Sequence, residues 1–226
     1  KSDNLEKVYI TASGGPFRNY PLNKFRNITL KNALKHPNWQ MGKKISIDSA
    51  TMMNKVFEII EAKKIFDLRY SQLEILIHPQ SYLHAIVKFK NGLSKLLIHD
   101  TNMSIPIFNS LYPNFENIIK SNKLDIIKLN DLNLHKVNSK RFPAISVIKK
   151  LKENDSLYET IIVAANDSLV NLFIKKKIRF IDISIMLLKI LNKREFMEYM
   201  RIKPKNIADI TKLSNYVSVK INSMSI

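Results

Sequence analysis

The sequence has no cysteine and few glycines. Its 226 residues include 4 glycines, 8 prolines and no cysteine. The lack of cysteine excludes disulfide bonds, thiol catalysis and thiolate metal ligands. No run of about 18 apolar residues occurs, so no transmembrane helix is expected. The first residues are polar, carry no signal peptide and lead into a strand-like stretch, which predicts a chain that begins inside a domain.

Acidic residues are also scarce. The chain has 37 lysines and arginines against 19 acidic residues, which gives a formal net charge of +18. Such a charge suits nucleic acid, or a small anionic substrate drawn in by a positive field. Compositional drift in an AT-rich genome explains it better, because the lysines are scattered and no zinc-finger, RNA-binding aromatic or basic-region pattern occurs. A basic nucleic-acid-binding module remains the alternative hypothesis.

The first half of the chain has an α/β pattern. Short alternating or apolar runs between turn residues predict strands, and longer runs of helical period predict helices. Asn91-Gly92 between two such strands predicts a β-hairpin. The predicted strands are 8–11, 45–47, 73–77, 82–89 and 94–100, and the predicted helices are 29–34 and 50–66. They predict a mixed sheet with helices on one face.

The second half is predominantly helical. Apolar residues recur at the spacing of a helix core face, and the predicted helices are 144–152, 157–173, 181–191, 195–200 and 206–221. We therefore predict an α/β (α+β) catalytic domain over 1–112 and a small all-helical C-terminal domain over 139–226. Between them, 113–138 is predicted to be a linker with a short strand near 125–129.

Two stretches of the α/β part carry clustered polar groups. Ser13-Gly14-Gly15 follows a strand and is either a tight turn or a loop whose amides and hydroxyl approach an anion. Ser49 lies where the helix 50–66 is predicted to begin, so it either caps free N–H groups or helps to bind phosphate. The early turns of that helix carry three further polar side chains, Asn54, Lys55 and Glu58. A capped amphipathic helix and a ligand site explain this stretch about equally well.

The histidines and the single tryptophan give weaker signals. The segment 36–42 holds His36 and Trp39 and ends at Gly42. Its tryptophan is either a packing anchor or part of a lid that excludes water from a ligand. His78 ends a predicted strand and is interpreted as a packing residue. No Ser–His–Asp triad and no metal-ligand spacing follow from residue order alone.

These stretches resemble the 1-deoxy-D-xylulose-5-phosphate reductoisomerases. The residues that carry the resemblance are TASGGPFR at 11–18, HPNWQMGKKISIDSATMMNK at 36–55, Glu58, IHPQS with His84 at 77–84, RFPA at 141–144 and AAND at 164–167. They occur in the family's order over nearly the whole chain, and AAND stands where AANE is usual.

The resemblance implies an enzyme of non-mevalonate isoprenoid biosynthesis. Members of the family rearrange 1-deoxy-D-xylulose 5-phosphate and reduce the aldehyde intermediate with NADPH, which gives 2-C-methyl-D-erythritol 4-phosphate. A Mg²⁺ or Mn²⁺ ion serves as Lewis acid and template, and the cofactor supplies hydride. The resemblance also implies a homodimer without nucleic-acid or membrane partners. It implies a bacterial cytoplasmic or a plastid-type, apicoplast-like location.

Residue roles are carried over position by position. The implied substrate-binding residues are Ser13, His36, Ser49, Asn54, Lys55 and Glu58. Four of these, namely Ser13, Ser49, Asn54 and Lys55, are expected to hold the phosphate, and Glu58 is also the implied metal ligand. The implied cofactor-binding residues are Met41 and Gly42. Trp39 and Met41, in a flexible loop, are expected to close over substrate and nicotinamide.

The sequence also departs from the family pattern. The family has an N-terminal NADPH-binding domain and an Asp-Ser-Glu motif with two further metal carboxylates, and neither occurs here. The chain is therefore expected to be the C-terminal part of a longer protein and inactive by itself. Val56 stands where glycine is usual, and Asn102 and Ser104 replace the ends of a usual Asp-Met-Arg. A non-catalytic homologue is disfavoured because all six substrate-binding positions are intact.

Overall fold

The computed structural model describes residues 4–37, 41–112 and 117–224. Its strands are β1 (Leu5–Ala12), β2 (Leu73–Ile77), β3 (Leu83–Phe89), β4 (Ser94–Ile98) and β5 (His135–Lys136). Its α-helices are α1 (Leu30–Ala33), α2 (Lys43–Thr51), α3 (Met53–Phe66), α4 (Ser104–Leu111), α5 (Ile126–Asn130), α6 (Tyr158–Ile174), α7 (Phe180–Leu191), α8 (Arg194–Met197) and α9 (Ile207–Asn222). The described ranges also contain the 3-10 helices Leu22–Asn27, Tyr70–Gln72, Pro143–Lys150 and Glu198–Arg201.

The chain divides into two compact units. The sheet unit comprises Lys1–Ser13 and Gln72–Val137, and the helical unit comprises Gly14–Ser71 and Asn138–Ile226. Each unit is assembled from two stretches that are distant in sequence. The domain boundaries at 112 and 139 that the sequence suggested stay a prediction.

The sheet unit is built on a five-stranded mixed sheet with the order β4-β3-β1-β2-β5. β1 and β2 are parallel, with Ile10 opposite Ile75, whereas β3 pairs with β1 and with β4 in antiparallel fashion. Gly92 in the β3–β4 turn has a φ of 88°, a conformation that glycine adopts without strain. The predicted hairpin and the predicted mixed sheet are both confirmed.

The helical unit is organised around α6. This helix packs against α7 and α9, and α2 and α3 also contact it. Several of its apolar residues, such as Ile161, Ile162 and Leu169, are completely buried. Burial of each such side chain stabilises the fold by about 1.5–3 kcal/mol. The predicted helical C-terminal part is therefore confirmed, and its helix bounds shift by only a few residues.

Two predicted strands are wrong. Residues 45–47 belong to α2, where Ile47 is buried and Ile45 is 43% exposed. Three alternating residues fit a strand and a helix turn equally well, and the helix prevails because it buries Ile47 and lets Lys44 pair with Asp48 one turn later. The piece near 125–129 is also helical, since Asp125 caps α5 by accepting the N–H of Lys128.

Two further predictions need correction in detail. The predicted helix over 144–152 is the 3-10 helix Pro143–Lys150. The predicted linker is not structureless, because it contributes α5 and the edge strand β5, which pairs antiparallel with β2. Its weak periodicity concealed a two-residue strand that depends on a partner distant in sequence.

Candidate active site at the α2–α3 bend

The chain bends between α2 and α3 at Met52. This residue is left-handed, with φ 68° and ψ 13°, which a non-glycine side chain rarely adopts. Met52 and its neighbour Met53 are nearly or completely buried, so their burial offsets the backbone strain. The predicted single helix over 50–66 is therefore interrupted, and α3 begins anew at Met53.

The first two turns of α3 carry a charged cluster. The Lys55 ammonium lies 2.8 Å and 2.7 Å from the two carboxylate oxygens of Glu58. The Asn54 amide nitrogen lies 3.5 Å from the nearer of these oxygens. The Asn54 Oδ1 atom is buried and has no hydrogen-bond partner among the described residues. An unsatisfied buried acceptor is costly, so this oxygen is suited to a donor from a ligand.

His36 follows α1 and belongs to the same unit. Burial lowers the pKa of its imidazole below 6.5, and the positive charge of Lys55 lowers it further. Both causes disfavour the cationic ring. The imidazole is therefore neutral near pH 7 and offers one donor and one acceptor.

Ser49 lies in the last turn of α2 and is buried. The prediction that it stands at the start of a helix, as a cap, is wrong because α2 begins at Lys43. A Cβ atom at Gly15 would lie 2.9 Å from the Ser49 carbonyl oxygen. Gly15 has a φ of 61°. Only glycine satisfies both the left-handed backbone and this close approach.

Arg141 fixes the loop that follows Gly15. Its guanidinium donates to the Phe17 carbonyl oxygen at 2.8 Å and also donates to the Tyr20 carbonyl. The cation lies 5.8 Å from the centre of the Phe25 ring. Sequence reasoning noted RFPA only as a family stretch, and the structure gives its arginine a physical role in loop geometry.

The remaining predicted positions are spread along the chain. Ser13 follows β1 and is buried. Met41 is half-buried, and Gly42 is the N-cap residue of α2; apart from its chain neighbours, no described residue lies within 4 Å of where its Cβ would be. Trp39 lies outside the described residues. The structure thus brings Asn54, Lys55 and Glu58 into one cluster and places His36 within electrostatic reach of Lys55.

Sequence reasoning missed a second polar cluster. Asp48 is completely buried, and its carboxylate accepts a hydrogen bond from the Asn166 amide at 2.7 Å. Its other oxygen lies 2.7 Å from the Lys44 ammonium, which also lies 2.9 Å from Asp167. Burial raises the pKa of Asp48, and hydrogen bonds from Lys44 and Asn166 oppose that rise. The helical spacing of Lys44 and Asp48 was the available signal.

The other histidines do not form a metal site. His78 is completely buried, which agrees with its interpretation as a packing residue. Its Nδ1 atom lies 3.0 Å from the Asn133 carbonyl oxygen. His84 and His99 stack with ring centres 3.6 Å apart. Over the ranges that the structure describes, no three His, Asp or Glu side chains form a group suited to a metal ion. No helix in the same ranges is long and apolar enough to cross a membrane.

Two family profiles match the chain. The profile of the 1-deoxy-D-xylulose 5-phosphate reductoisomerase C-terminal domain matches residues 1–66, and that of the DXP reductoisomerase C-terminal domain matches residues 99–218. The chain belongs to the 1-deoxy-D-xylulose 5-phosphate reductoisomerase family. The resemblance seen in the sequence is therefore confirmed.

Individual reductoisomerases agree with the profiles. The 1-deoxy-D-xylulose 5-phosphate reductoisomerase of Pelagibacter ubique is 66% identical over 226 residues, which are 100% of this chain and 58% of that protein. The reductoisomerase of Sulfurihydrogenibium sp. is 38% identical over 192 residues, 85% of this chain and 51% of that protein. The chain thus spans little more than half the length of these relatives. None of them supports the alternative of a nucleic-acid-binding module.

Solved reductoisomerase structures share the fold. A DOX-P reductoisomerase in complex with NADPH, fosmidomycin and magnesium has a TM-score of 0.88 at 29% identity, over 97% of this chain and 55% of that chain. The Zymomonas mobilis reductoisomerase in complex with NADPH has a TM-score of 0.84 at 32% identity, over 98% of this chain and 55% of that chain.

Proposed function

We propose that the protein to which this chain belongs converts 1-deoxy-D-xylulose 5-phosphate to 2-C-methyl-D-erythritol 4-phosphate with NADPH and Mg²⁺ or Mn²⁺. One observation carries the proposal. In a chain of this family, the α2–α3 bend presents an ammonium, an amide with an unpartnered buried oxygen and a carboxylate in one cluster, formed by Lys55, Asn54 and Glu58. A phosphorylated polyol has the phosphate and hydroxyl groups that such a cluster binds.

The proposed phosphate site, called the phosphate grip below, combines one ammonium with amide and hydroxyl donors. Lys55 supplies a point charge on a side chain that is only 14% exposed, so its attraction for phosphate is weakly screened. Asn54 adds an amide donor, and Ser49 adds a hydroxyl at the last turn of α2. Ser13 is assigned to the same phosphate by the resemblance alone.

The metal assignment rests on the donor chemistry of Glu58. A hard divalent cation takes oxygen ligands and keeps several waters, so one carboxylate suits one coordination position. The unpartnered Asn54 oxygen nearby suits a hydroxyl or water donor. When bound, Mg²⁺ or Mn²⁺ would supply Lewis-acid polarisation of the substrate's carbonyl and hydroxyl oxygens. The other ligands would come from substrate, water and residues outside this cluster.

The neutral His36 side chain suits substrate hydroxyls. A neutral imidazole can donate one hydrogen bond and accept another, and it adds no second positive charge beside Lys55. This arrangement leaves charge attraction for the phosphate to Lys55 and hydrogen bonding to His36. His36 therefore acts in orientation of the substrate.

The NADPH assignment rests on the start of α2. Among the described residues none would crowd a Cβ at Gly42, which would let a flat ring approach the backbone there, and Met41 offers a polarisable side chain next to it. When bound, NADPH would supply the hydride. By the resemblance alone, Trp39 would close over substrate and nicotinamide.

Further properties of the whole protein follow as proposals. The relatives named above are bacterial, so we favour the bacterial cytoplasm over a plastid-type organelle. A homodimer remains a prediction from the resemblance. The chain by itself is predicted to show no turnover, because one carboxylate cannot complete the metal site.

A chimera tests the proposed function. This chain would replace the matching segment of the Pelagibacter ubique reductoisomerase. The match includes all 226 residues of this chain at 66% identity. We expect NADPH oxidation that requires both 1-deoxy-D-xylulose 5-phosphate and a divalent metal. A folded chimera without turnover would overturn the proposal and favour a non-catalytic homologue.

Substitution of Glu58 tests the metal assignment within that chimera. Glu58→Gln should lower kcat by at least about a hundredfold, since an electrostatic stabiliser of developing charge is lost. Glu61→Gln is the matched control, because it makes the same change at an exposed position on the same helix. Equal activity of the two variants would show that Glu58 is not a metal ligand.

A further inference from the structure

Asp48 is a buried carboxylate that the proposed chemistry does not use. It is completely buried, yet it lies on the last turn but one of α2, directly before Ser49. A buried carboxylate is tolerated only when hydrogen bonds and a counter-charge compensate for lost hydration. Asp48 has both, since Asn166 on α6 donates to one of its oxygens and Lys44 on α2 to the other.

Lys44 extends this connection to a third helix. Its ammonium pairs with Asp48 at 2.7 Å and with Asp167 on α6 at 2.9 Å. It also lies 5.3 Å from the centre of the Phe57 ring on α3. The polar cluster therefore contacts α2, α3 and α6 together, at the level of the bend.

A chain of hydrogen bonds runs from Asp48 to the start of α3. The Thr51 hydroxyl donates to the Asp48 carbonyl oxygen at 3.2 Å. The same hydroxyl accepts the N–H of Met53 at 3.4 Å. Met53 is the first residue of α3, and Asn54 and Lys55 follow it directly. The position of these two side chains is thus linked through Thr51 and Asp48 to Asn166.

Apolar contacts alone would hold α2 against α6 without defining their register. Ile47, Ala50 and Val56 are all buried at this junction, and such contacts are non-directional. A buried, hydrogen-bonded polar pair adds little net stability but can specify a single arrangement. This is the property that a phosphate grip requires, because small displacements weaken both binding and catalysis.

We propose that Asp48 and Asn166 are positioning residues, which fix Ser49, Asn54 and Lys55 for the substrate phosphate by orienting the end of α2 and the start of α3. The inference rests on the proposed function of the bend. Neither residue touches substrate in this proposal. Both act through the helix register that their hydrogen bond sets.

Asn166→Asp is the decisive variant, measured in the full-length protein. It conserves side-chain size but places a second carboxylate beside Asp48, where like charges repel. We expect the KM for the phosphorylated substrate and the Kd for inorganic phosphate to rise by roughly tenfold to a hundredfold, with a smaller change in kcat.

The loss should diminish as the pH falls, because the two carboxyl groups can then share a proton. The other charged groups that face this pair are Lys44 and Asp167. A residue with a merely structural role would change thermal stability but give no such pH-dependent KM in the folded protein.

The reciprocal swap Asp48→Asn with Asn166→Asp supplies the rescue. It restores one amide and one carboxylate, so KM and phosphate affinity should return to within about threefold of the unmodified protein. Asn171→Asp is the matched control, since it makes the same change at an exposed position of the same helix. It lies outside the polar cluster, so an unchanged KM is expected. If Asn166→Asp does not fold, the swap decides: a folded swap with poor phosphate affinity overturns the proposal.

The outcomes distinguish failure of the proposed function from failure of the positioning role alone. An unmodified protein that neither binds phosphate nor turns over substrate would remove the proposed function, and the positioning role with it. An unmodified protein that does both, together with Asn166→Asp at unchanged KM and Kd, would overturn the positioning role alone.

Discussion

Single residues at the bend are tuned by their immediate neighbours. Lys55 is held by both oxygens of Glu58, and its charge together with burial keeps His36 neutral. The histidine and the lysine therefore have different tasks although both are basic. His36 offers hydrogen bonds, and Lys55 offers charge.

The lowered pKa of His36 makes stability sensitive to acid. The folded-state pKa lies below the unfolded value of 6.5, so the unfolded chain binds the proton first as the pH falls. Stability contributed by the neutral ring is present above 6.5 and is lost below it. His36→Gln should therefore reduce the loss of unfolding free energy on acidification, as measured by chemical denaturation at several pH values.

An acid dependence of stability in His36→Gln identical to that of the unmodified chain would show that burial and Lys55 do not act on His36 as described.

At the scale of elements, the site depends on how closely a loop and a helix end approach each other. Gly15 lies against the Ser49 carbonyl, Arg141 clamps the loop that follows, and Met52 turns the chain into α3. Each feature is local, but together they determine the direction in which α3 begins.

Gly15→Ala tests this approach. The new Cβ would lie 2.9 Å from the Ser49 oxygen and 3.3 Å from the Ala50 Cα atom, so the end of α2 must move. We expect a loss of about 1–3 kcal/mol in unfolding free energy and a higher KM for the phosphorylated substrate, measured by denaturation and steady-state kinetics.

Gly92→Ala separates the effect of backbone strain from the effect of a displaced α2 end. Gly92 also has a positive φ but has open space around the missing Cβ. Its replacement should cost stability through backbone strain and leave KM unchanged. A raised KM in Gly92→Ala, or an unchanged one in Gly15→Ala, would contradict the role given to the loop.

The sequence predicts elements well where their pattern is long. The alternation of β3 and β4 and the helical period of α6 and α7 were sufficient to identify them. The error at 45–47 arose because three residues cannot distinguish the two periods, and tertiary burial decided for the helix. The proposed substrate-site residues were predicted through a long motif, whereas the bond between Asp48 and Asn166 joins positions 118 apart, which no local pattern reveals.

At the scale of the whole molecule, the dominant feature is charge. The chain carries a formal net charge of +18, although the proposed site needs only one lysine. Whatever the origin of this composition, the scattered lysines give a diffuse positive field, which would raise the local concentration of the proposed anionic substrate and its association rate.

Added salt should therefore lower the kcat/KM of the proposed reaction by slowing substrate capture. In the full-length protein, kcat/KM should fall by about two- to tenfold as ionic strength rises from about 0.05 to about 0.5 M, because the field is screened. The saturated kcat should change little. Conversion of Lys175, Lys176 and Lys177 to Gln should make the salt dependence shallower, whereas a salt-independent kcat/KM would refute steering.

The discontinuous helical unit has a consequence for the order of folding. Its two stretches, Gly14–Ser71 and Asn138–Ile226, are separated in the chain by most of the sheet unit. A ribosome that adds about 5–20 residues per second needs roughly 6–24 s to pass from Asp48 to Asn166. During that interval the bend residues exist without α6, and the nascent chain exposes the apolar sides of α2 and α3. Completion of the site therefore waits until α6 has been synthesised.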